Sequence, residues 1–173
     1  IPDGLAQSIR TGTVRWGTAT AGARMKPDFL VVGAQRAGTT TLYRMLVEHP
    51  NIVRPSFQKG IGYFDLNHEL GADWYQGHFP VRSFAGWRTR KAGEPMTFES
   101  SGYYLFHPLA ADRIARELPA VKVIVLVRDP VERAFSAHAH ELARGFETLG
   151  FEEAIEREEE RTNGEAARLV ADP

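Results

Sequence analysis

The hydrophobic residues of this chain fall into short runs that are separated by glycine, proline and charged residues. Residues 28–32 form an apolar run behind one leading aspartate and stop at Gly33, which is the pattern of a short buried strand. Residues 39–49 then place their apolar side chains on one helical face, and Pro50 ends that helix. The pattern predicts a strand, a glycine turn and a helix in direct succession.

The second half of the chain repeats this order with a stronger strand. Residues 121–127 are β-branched at five of seven positions, a composition typical of strands. Residues 131–144 follow as a helix, with Asp129 as its N-cap and Pro130 at its first position. Strands that alternate with helices predict an α/β fold in which helices cover both faces of a parallel sheet, in three layers. The same criteria predict shorter elements: strands at 51–53 and 97–100 and a helix at 109–118.

The remaining segments predict less regular structure. Residues 59–96 carry seven aromatic residues, which favours either a cover over a binding site or a satellite hydrophobic core. No strand-like run follows residue 127, so we expect residues 27–173 to be an incomplete α/β domain of a longer protein. Residues 1–26 carry three arginines without a continuous apolar segment and predict a mobile basic arm rather than a secretory leader.

The composition indicates the cellular compartment and whether the chain contains a membrane-spanning helix. The chain has no cysteine, which excludes disulfides, cysteine-ligated zinc and thiol catalysis and fits a reducing, cytoplasmic compartment. Its longest apolar stretches, such as residues 123–127, are far shorter than the roughly 20 residues of a membrane-spanning helix. We therefore expect no membrane span.

The charge distribution favours an anionic ligand. The net charge is −1, but six of the 22 acidic residues lie within residues 152–160, a run that predicts a solvated helix face. The rest of the chain has 20 bases against 16 acids, and 17 of the 21 bases in the chain are arginine, the side chain suited to bidentate phosphate or sulfate binding. Charge alone also fits a nucleic-acid binder.

The turn after the first predicted strand has the composition of a phosphate cradle. Backbone N–H groups and hydroxyls meet there at a helix N-terminus, where the dipole favours an anion. The turn has both glycines of the nucleoside triphosphatase pattern G-x-x-x-x-G-K-[ST] but lacks its lysine. Arg36 lies inside the loop instead, where it can reach the bridging oxygen of a leaving group. An ordinary strand-to-helix connection is the alternative. The turn reads Gly33-Ala34-Gln35-Arg36-Ala37-Gly38-Thr39-Thr40-Thr41.

A second polar motif follows the strongest predicted strand. Arg128 ends this strand and Ser136 lies two turns along the next helix, at the sheet edge where α/β proteins bind ligands. A phosphate cradle at one strand end and an Arg/Ser pair at another suit a nucleotide with phosphates at two positions. The alternative is a capping turn at 128–130 with a surface ion pair.

Together these stretches resemble the PAPS-dependent sulfotransferases, in the branch of the heparan sulfate enzymes and the bacterial carbohydrate or lipid sulfotransferases. Residues 29–40 resemble the 5′-phosphosulfate loop of that family and residues 123–136 its 3′-phosphate motif. The resemblance implies a P-loop-like fold, the donor 3′-phosphoadenylyl sulfate (PAPS), no metal, and a hydroxyl-bearing acceptor (a glycan, a glycolipid or another small molecule) rather than a nucleic acid. The donor-binding residues that it implies are Gln35, Arg36, Ala37, Gly38, Thr39, Thr40 and Thr41 in the loop, and Arg128 and Ser136 at the 3′-phosphate.

The catalytic positions depart from the family pattern. Relatives have a lysine–glutamate pair before a His-aromatic-Phe-Asp segment, with the glutamate as base, whereas this chain has Gly60 in the glutamate position and Gly62 in the histidine position. A second departure is Glu-Ser-Ser-Gly at residues 99–102, where many relatives have Glu-Lys-Thr-Pro. The implied catalytic residues are Arg36 at the leaving group, Lys59 near the sulfate, and Asp65, His68 or Glu99 as the base, unless the base lies beyond residue 173 or does not exist.

Two other functions stay open. A non-catalytic nucleotide- or anion-binding module fits the missing glutamate. A P-loop kinase or nucleoside triphosphatase is disfavoured because the loop lysine is missing and because no acidic residue ends a strand in the manner of a Walker-B motif, Asp129 being placed as a helix cap.

Overall fold

The computed structural model describes residues 12–56 and 58–171. Phe29 of the first strand pairs with Phe98 on one side and with Lys122 on the other. Because parallel strands end at the same edge of a sheet, the turns that follow the three strands meet there. The strands lie in the order β2-β1-β3, all parallel: β1 Phe29–Gly33, β2 Phe98–Glu99 and β3 Lys122–Val125.

The helices lie between and after the strands. α2 (Thr39–Val47) follows β1, and α6 (Pro130–Arg144) follows β3. The Asp129 side chain accepts a hydrogen bond from the Glu132 N–H at 3.0 Å, and Pro130 opens α6, so the predicted cap is confirmed. The others are α1 (residues 12–19), α3 (Ala72–Gln76), α4 (Arg82–Thr89), α5 (Ala110–Glu117), α7 (Phe151–Glu156), α8 (Glu158–Thr162) and α9 (Glu165–Ala171), with 3₁₀ turns at Ala21–Ala23 and His68–Leu70.

β1 is buried along its whole length and separates two hydrophobic clusters. Phe29 and Val31 pack with Phe98 and with the apolar side of α2. Leu30 and Val32 belong to the opposite cluster, since successive residues of a strand point to opposite faces. β1 is therefore covered on both faces, and the parallel sheet with its helices confirms the predicted α/β fold.

The aromatic segment forms much of the cluster around Leu30. Four of its rings are buried and pack against one another: Tyr63, Phe64, Tyr75 and Phe79. Each such ring removes about 150–250 Å² from water. Of the two interpretations of this segment, a hydrophobic core is the one that these four residues fit.

Two of the predicted strands differ from the structure. At 51–53 the chain makes only an isolated parallel bridge between Ile52 and Met96, because just two apolar residues precede the next proline. β3 is shorter than predicted and half-exposed, with Val123 51% and Val125 45% exposed, whereas β2 at the other edge of the described sheet is buried. The glutamates of the acidic run are exposed on α7 and α8, as predicted.

The segment before β1 packs against the rest of the protein. Residues 12–25 form α1 and a 3₁₀ turn, and Met25 belongs to the core. The buried Arg24 guanidinium donates to the Phe79 carbonyl at 2.6 Å and lies 4.5 Å from the centre of the Trp16 ring. The structure thus differs from the predicted mobile arm here, because Arg24 finds acceptors within the core; the first eleven residues lie outside the described ones. None of the described helices is long and apolar enough to cross a membrane.

We expect Gly77→Ala to destabilise the protein by about 1–3 kcal/mol, because α1 meets the end of α3 through glycines and an added methyl group overpacks this contact. A Cβ at Gly77 would lie 2.7 Å from the carbonyl carbon of Gly17 and from the nitrogen of Thr18. Urea unfolding measures the change. The control is Gly86→Ala in α4, where an added Cβ meets nothing within 4 Å and the helix should gain about 0.5–1 kcal/mol. Wild-type stability of Gly77→Ala would contradict the described packing of α1.

Candidate active site

The turn between β1 and α2 forms an open cradle at the carboxyl edge of the sheet. Gly33 passes beneath the segment after β2: a Cβ there would lie 2.8 Å from Leu105 Cβ and 3.0 Å from the Gly102 carbonyl oxygen. Gly38 is the N-cap of α2 at a φ of +98°, and no side chain caps the helix. The first N–H groups of α2 therefore lack a capping partner, which is the arrangement that binds anions.

A lysine from a separate loop reaches the beginning of α2. Lys59 Nζ lies 2.9 Å from Thr39 Oγ1 and 3.1 Å from Thr40 Oγ1. The Ser100 N–H donates to the Lys59 carbonyl at 3.1 Å, which ties this loop to the end of β2. Burial lowers the pKa of Lys59. The structure therefore brings the predicted Lys59 together with the predicted threonines.

The second predicted motif meets the same turn from α6. Arg36 Nε lies 3.3 Å from Ser136 Oγ, and Arg128 Nη1 donates to the Arg36 carbonyl at 3.3 Å. The other side of the Arg128 guanidinium pairs with Glu132 at 3.2 Å. Glu132 was not among the predicted site residues, although its i,i+4 spacing from Arg128 is a signal for such a pair. Residues about 100 positions apart in the chain thus form one polar edge.

The backbone of Arg36 has an unusual conformation. Its φ is +65°, in the left-handed region, which costs a residue with a side chain about 1–2 kcal/mol. The hydrogen bond from Arg128 to the Arg36 carbonyl helps to hold the loop in this shape. Strain of this kind is retained where surrounding contacts fix the backbone, often at a binding site.

The other predicted loop residues line the same turn. Gln35 packs near Gly102, the Ala37 N–H donates to the Ala34 carbonyl at 3.2 Å, and Thr41 is exposed in the first turn of α2. A cavity of about 350 Å³ opens beside the loop. Its lining includes Ala34, Gln35, Tyr103, Phe106, Arg133 and Glu158.

Glu99, a candidate base, is fully buried and surrounded by hydrogen-bond donors. Burial and the adjacent carboxylate raise the pKa of Tyr75 and of Tyr104 far above the usual tyrosine value, so both rings stay protonated and donate. Through its hydrogen bonds, Glu99 anchors the loop that follows Lys59 to the end of β2. Its donors are Ile61 N (2.9 Å), Gly62 N (3.2 Å), Ser101 Oγ (2.5 Å) and Tyr104 OH (2.7 Å) on Oε1, and Tyr75 OH (2.7 Å) on Oε2.

His68, a second candidate base, lies at the other end of the sheet. Its Nε2 is 2.5 Å from Glu117 Oε1, at the end of α5 and shortly before β3 begins. Tyr63 OH donates to the same carboxylate at 2.9 Å. Because the amino ends of parallel strands lie opposite the cradle, the structure does not bring His68 to the predicted site.

Asp65 is the remaining candidate base. It is buried, and its Oδ1 accepts a hydrogen bond from the Leu66 N–H at 2.7 Å. Burial raises its pKa, while the nearby His107 and Arg113 act in the opposite direction. Asp65 belongs to the loop that Glu99 anchors at the end of β2. The part of the chain that the structure describes contains no cluster of three or more potential metal ligands.

The family's glutamate position has no room for a side chain. A Cβ at Gly60 would lie 2.8 Å from Ser101 Oγ and 2.9 Å from the Ser100 carbonyl oxygen. The loop of Gly60 approaches the segment after β2 so closely that only a residue without a Cβ fits there.

Known proteins resemble this chain over much of its length. Residues 26–162 match the family described as the sulfotransferase domain. Human bifunctional heparan sulfate N-deacetylase/N-sulfotransferase 3 is 36% identical over 120 residues, 66% of this chain and 13% of the human protein. Membrane-associated sulfotransferase kil1 of Dictyostelium discoideum is 35% identical over 112 residues, 65% of this chain and 22% of that protein.

A solved structure supports the same assignment. The crystal structure of a sulfotransferase from Alicyclobacillus acidocaldarius superposes with a TM-score of 0.60 at 30% identity, over 84% of this chain and 62% of that chain. The chain belongs to the sulfotransferase family. It spans only a part of each of these relatives.

We expect Glu99→Gln to destabilise the protein by about 2–4 kcal/mol, because an amide N–H₂ then faces donors inside the core and leaves them unsatisfied. Thermal and urea unfolding measure the loss. Glu94→Gln, at an exposed turn position, is the control and should change the free energy of unfolding by less than about 0.5 kcal/mol. Equal stability of the two variants would show that Glu99 does not anchor the loop.

We also expect Gly60→Ala to cost about 1–3 kcal/mol of stability, since its methyl group meets a backbone oxygen of the adjacent segment. Gly102→Ala is the matched control from the facing segment, because a Cβ there would come no closer than 3.5 Å to any neighbour. The free energies of unfolding of both variants decide the point. If Gly60→Ala is as stable as Gly102→Ala, the close approach of the two loops is refuted.

Proposed function

We propose that this chain carries the donor site of a sulfotransferase that transfers the sulfuryl group of PAPS to a hydroxyl of a carbohydrate, lipid or small-molecule acceptor. The observation that carries the proposal is the contact between the two phosphate motifs. Arg128 bonds to the backbone of Arg36, whose side chain bonds to Ser136. A donor with phosphates at two positions needs two anion sites at one edge of the sheet.

The side chains at this edge fit such a donor. The N–H groups of α2 and the hydroxyls of Thr39 and Thr40 would hold the 5′-phosphosulfate, together with a nearby cation. Arg128 and Ser136 would hold the 3′-phosphate, and the anion would compete with Glu132 for the guanidinium. Since a threonine follows Gly38, the lysine that a nucleoside triphosphatase aims at its phosphates is absent, which argues against a kinase or ATPase.

Bound PAPS supplies an activated sulfuryl group. The acceptor oxygen forms a bond to sulfur while the bond between sulfur and the bridging oxygen breaks, and the electron pair stays on that oxygen as part of the 5′-phosphate. The amides of α2 and a cation, Arg36 or Lys59, stabilise the charge that develops there. Of the three candidate bases, we propose Asp65 for the acceptor proton, because donors surround Glu99 and His68 pairs with Glu117.

The cavity beside the loop is our proposed acceptor site. Tyr103 and Phe106 offer apolar surface on one side, while Arg133 and Glu158 offer polar groups on another. Such a mixed lining suits a sugar, whose rings carry both apolar faces and hydroxyls. Two relatives in the family are named for action on heparan sulfate, which favours a glycan acceptor.

A second function is favoured by one observation. Gly60 replaces the glutamate that serves as base in relatives, and the fold leaves no space for that side chain. A module that binds the bisphosphate nucleotide without transferring a sulfuryl group would need no base.

We expect adenosine 3′,5′-bisphosphate to raise the Tm by several degrees, since a ligand at 100 times its Kd adds about 2.7 kcal/mol to stability. Arg128→Ala should weaken its binding about 10- to 100-fold by removing the 3′-phosphate contact, and should weaken adenosine 5′-monophosphate by a clearly smaller factor, since the loop also loses the bond at the Arg36 carbonyl. Arg88→Ala, on the exposed side of α4, is the control. Equal affinity of the wild type for both nucleotides would refute a 3′-phosphate site.

Transfer of labelled sulfate from PAPS separates the two functions. The acceptor panel contains neutral glycans, amino glycans and glycolipids. Labelled product supports the sulfotransferase, whereas tight binding of the bisphosphate without product on any acceptor supports the binding module. Magnesium-dependent ATP hydrolysis without bisphosphate binding would overturn both.

A further inference from the structure

We propose that Lys59, rather than the cradle's own Arg36, is the cation that contacts the 5′-phosphate of the donor and neutralises the departing oxygen. This inference rests on the proposed donor site. It assigns each basic residue of that site to either the 5′-phosphate or the 3′-phosphate of the nucleotide. In this division Lys59 serves the 5′ end of the nucleotide, and Arg36 belongs with Arg128 at the 3′ end.

The position of the Lys59 ammonium is the first argument. Nζ lies 2.9 Å from Thr39 Oγ1 and 3.1 Å from Thr40 Oγ1, at the two residues whose N–H groups open α2. An anion held by those amides would lie beside Nζ. An ammonium group has three N–H donors, so hydrogen bonds to two hydroxyls leave it one donor for a phosphate oxygen.

The direction of Arg36 is the second argument. Its Nε faces Ser136 at 3.3 Å, on the first half of α6, and its carbonyl accepts from Arg128. Both contacts draw Arg36 toward the residues of the second phosphate motif.

The way in which Lys59 is fixed is the third argument. Its carbonyl accepts from the Ser100 N–H, and the buried Glu99 holds the next N–H groups, those of Ile61 and Gly62, at 2.9 and 3.2 Å. Gly60 permits this close approach. A cation whose backbone is fixed in this way needs little rearrangement when charge develops on a ligand.

The charge balance around Lys59 is the fourth argument. None of the ion pairs formed among residues 12–56 and 58–171 includes Lys59. Its two hydrogen-bond partners at the cradle are neutral hydroxyls, whereas Arg128 already pairs with Glu132. A partly buried ammonium without a carboxylate beside it favours the entry of an anion.

During transfer, the sulfur–oxygen bond to the 5′-phosphate breaks and its electron pair stays on the former bridging oxygen. Lys59 donates a hydrogen bond to that oxygen and keeps its proton. The proton of the acceptor leaves to a base or to water. The product is the sulfated acceptor together with adenosine 3′,5′-bisphosphate.

A comparison of two nucleotides tests the assignment without turnover. Calorimetric titration gives the Kd of adenosine 3′,5′-bisphosphate and of adenosine 3′-monophosphate for the wild type, Lys59→Met and Arg36→Met. The Kd of adenosine 3′-monophosphate divided by the Kd of adenosine 3′,5′-bisphosphate measures recognition of the 5′-phosphate. Lys91→Met, at an exposed position after α4, is the control, and the Tm of each variant without ligand verifies folding.

We expect Lys59→Met to lower this ratio about 10- to 100-fold, as the loss of a charged hydrogen bond predicts, while its Kd for the 3′-monophosphate stays within about twofold. Lys59→Arg should restore part of the preference. Arg36→Met should weaken the binding of both nucleotides by about the same factor. If Lys59→Met keeps the wild-type preference for the bisphosphate and Arg36→Met loses it, the assignment is overturned and the proposed function stays intact. Failure of the wild type to bind the bisphosphate would overturn the proposed function itself.

Discussion

The central position of β1 determines where the site forms. β1 pairs with β2 on one side and with β3 on the other, and all five of its residues are buried. This pairing brings the ends of the three strands to one edge, so that the cradle, the anchored Lys59 loop and α6 meet there. Arg36 and Ser136 lie close together because β1 and β3, which precede them in the chain, are paired.

The buried carboxylate of Glu99 fixes the position of the loop that carries Lys59. Burying such a group is costly unless donors surround it, and here backbone N–H groups and hydroxyls converge on it. The carboxylate thereby holds the loop that carries Lys59 against the end of β2. The same close approach leaves no room for a side chain at Gly60.

Local patterns were sufficient to predict the main elements. The buried run before Gly33, the β-branched run before Arg128 and the cap at Asp129 each correspond to an observed element because neighbouring residues decide them. Pairing partners at long range were not predictable in this way. The bond of Glu99 to Tyr75, the pairing of His68 with Glu117 and the packing of Arg24 into the core depend on residues that only the fold brings together.

The candidate bases also show that sequence patterns do not predict long-range partners. Asp65, His68 and Glu99 are equivalent as carboxyl or imidazole groups near the expected segment. Their surroundings distinguish them: Glu99 is saturated with donors, and His68 lies at the opposite edge of the sheet. Proximity in the chain could not separate these three residues, because their burial and hydrogen bonding depend on partners that only the fold brings close.

A crystal structure of the protein with adenosine 3′,5′-bisphosphate tests the central claim most directly. The account predicts the 5′-phosphate on the first N–H groups of α2, beside Thr39 and Lys59, and the 3′-phosphate between Arg128 and Ser136. A nucleotide bound elsewhere, or one whose 3′-phosphate leaves Arg128 paired with Glu132, would contradict it.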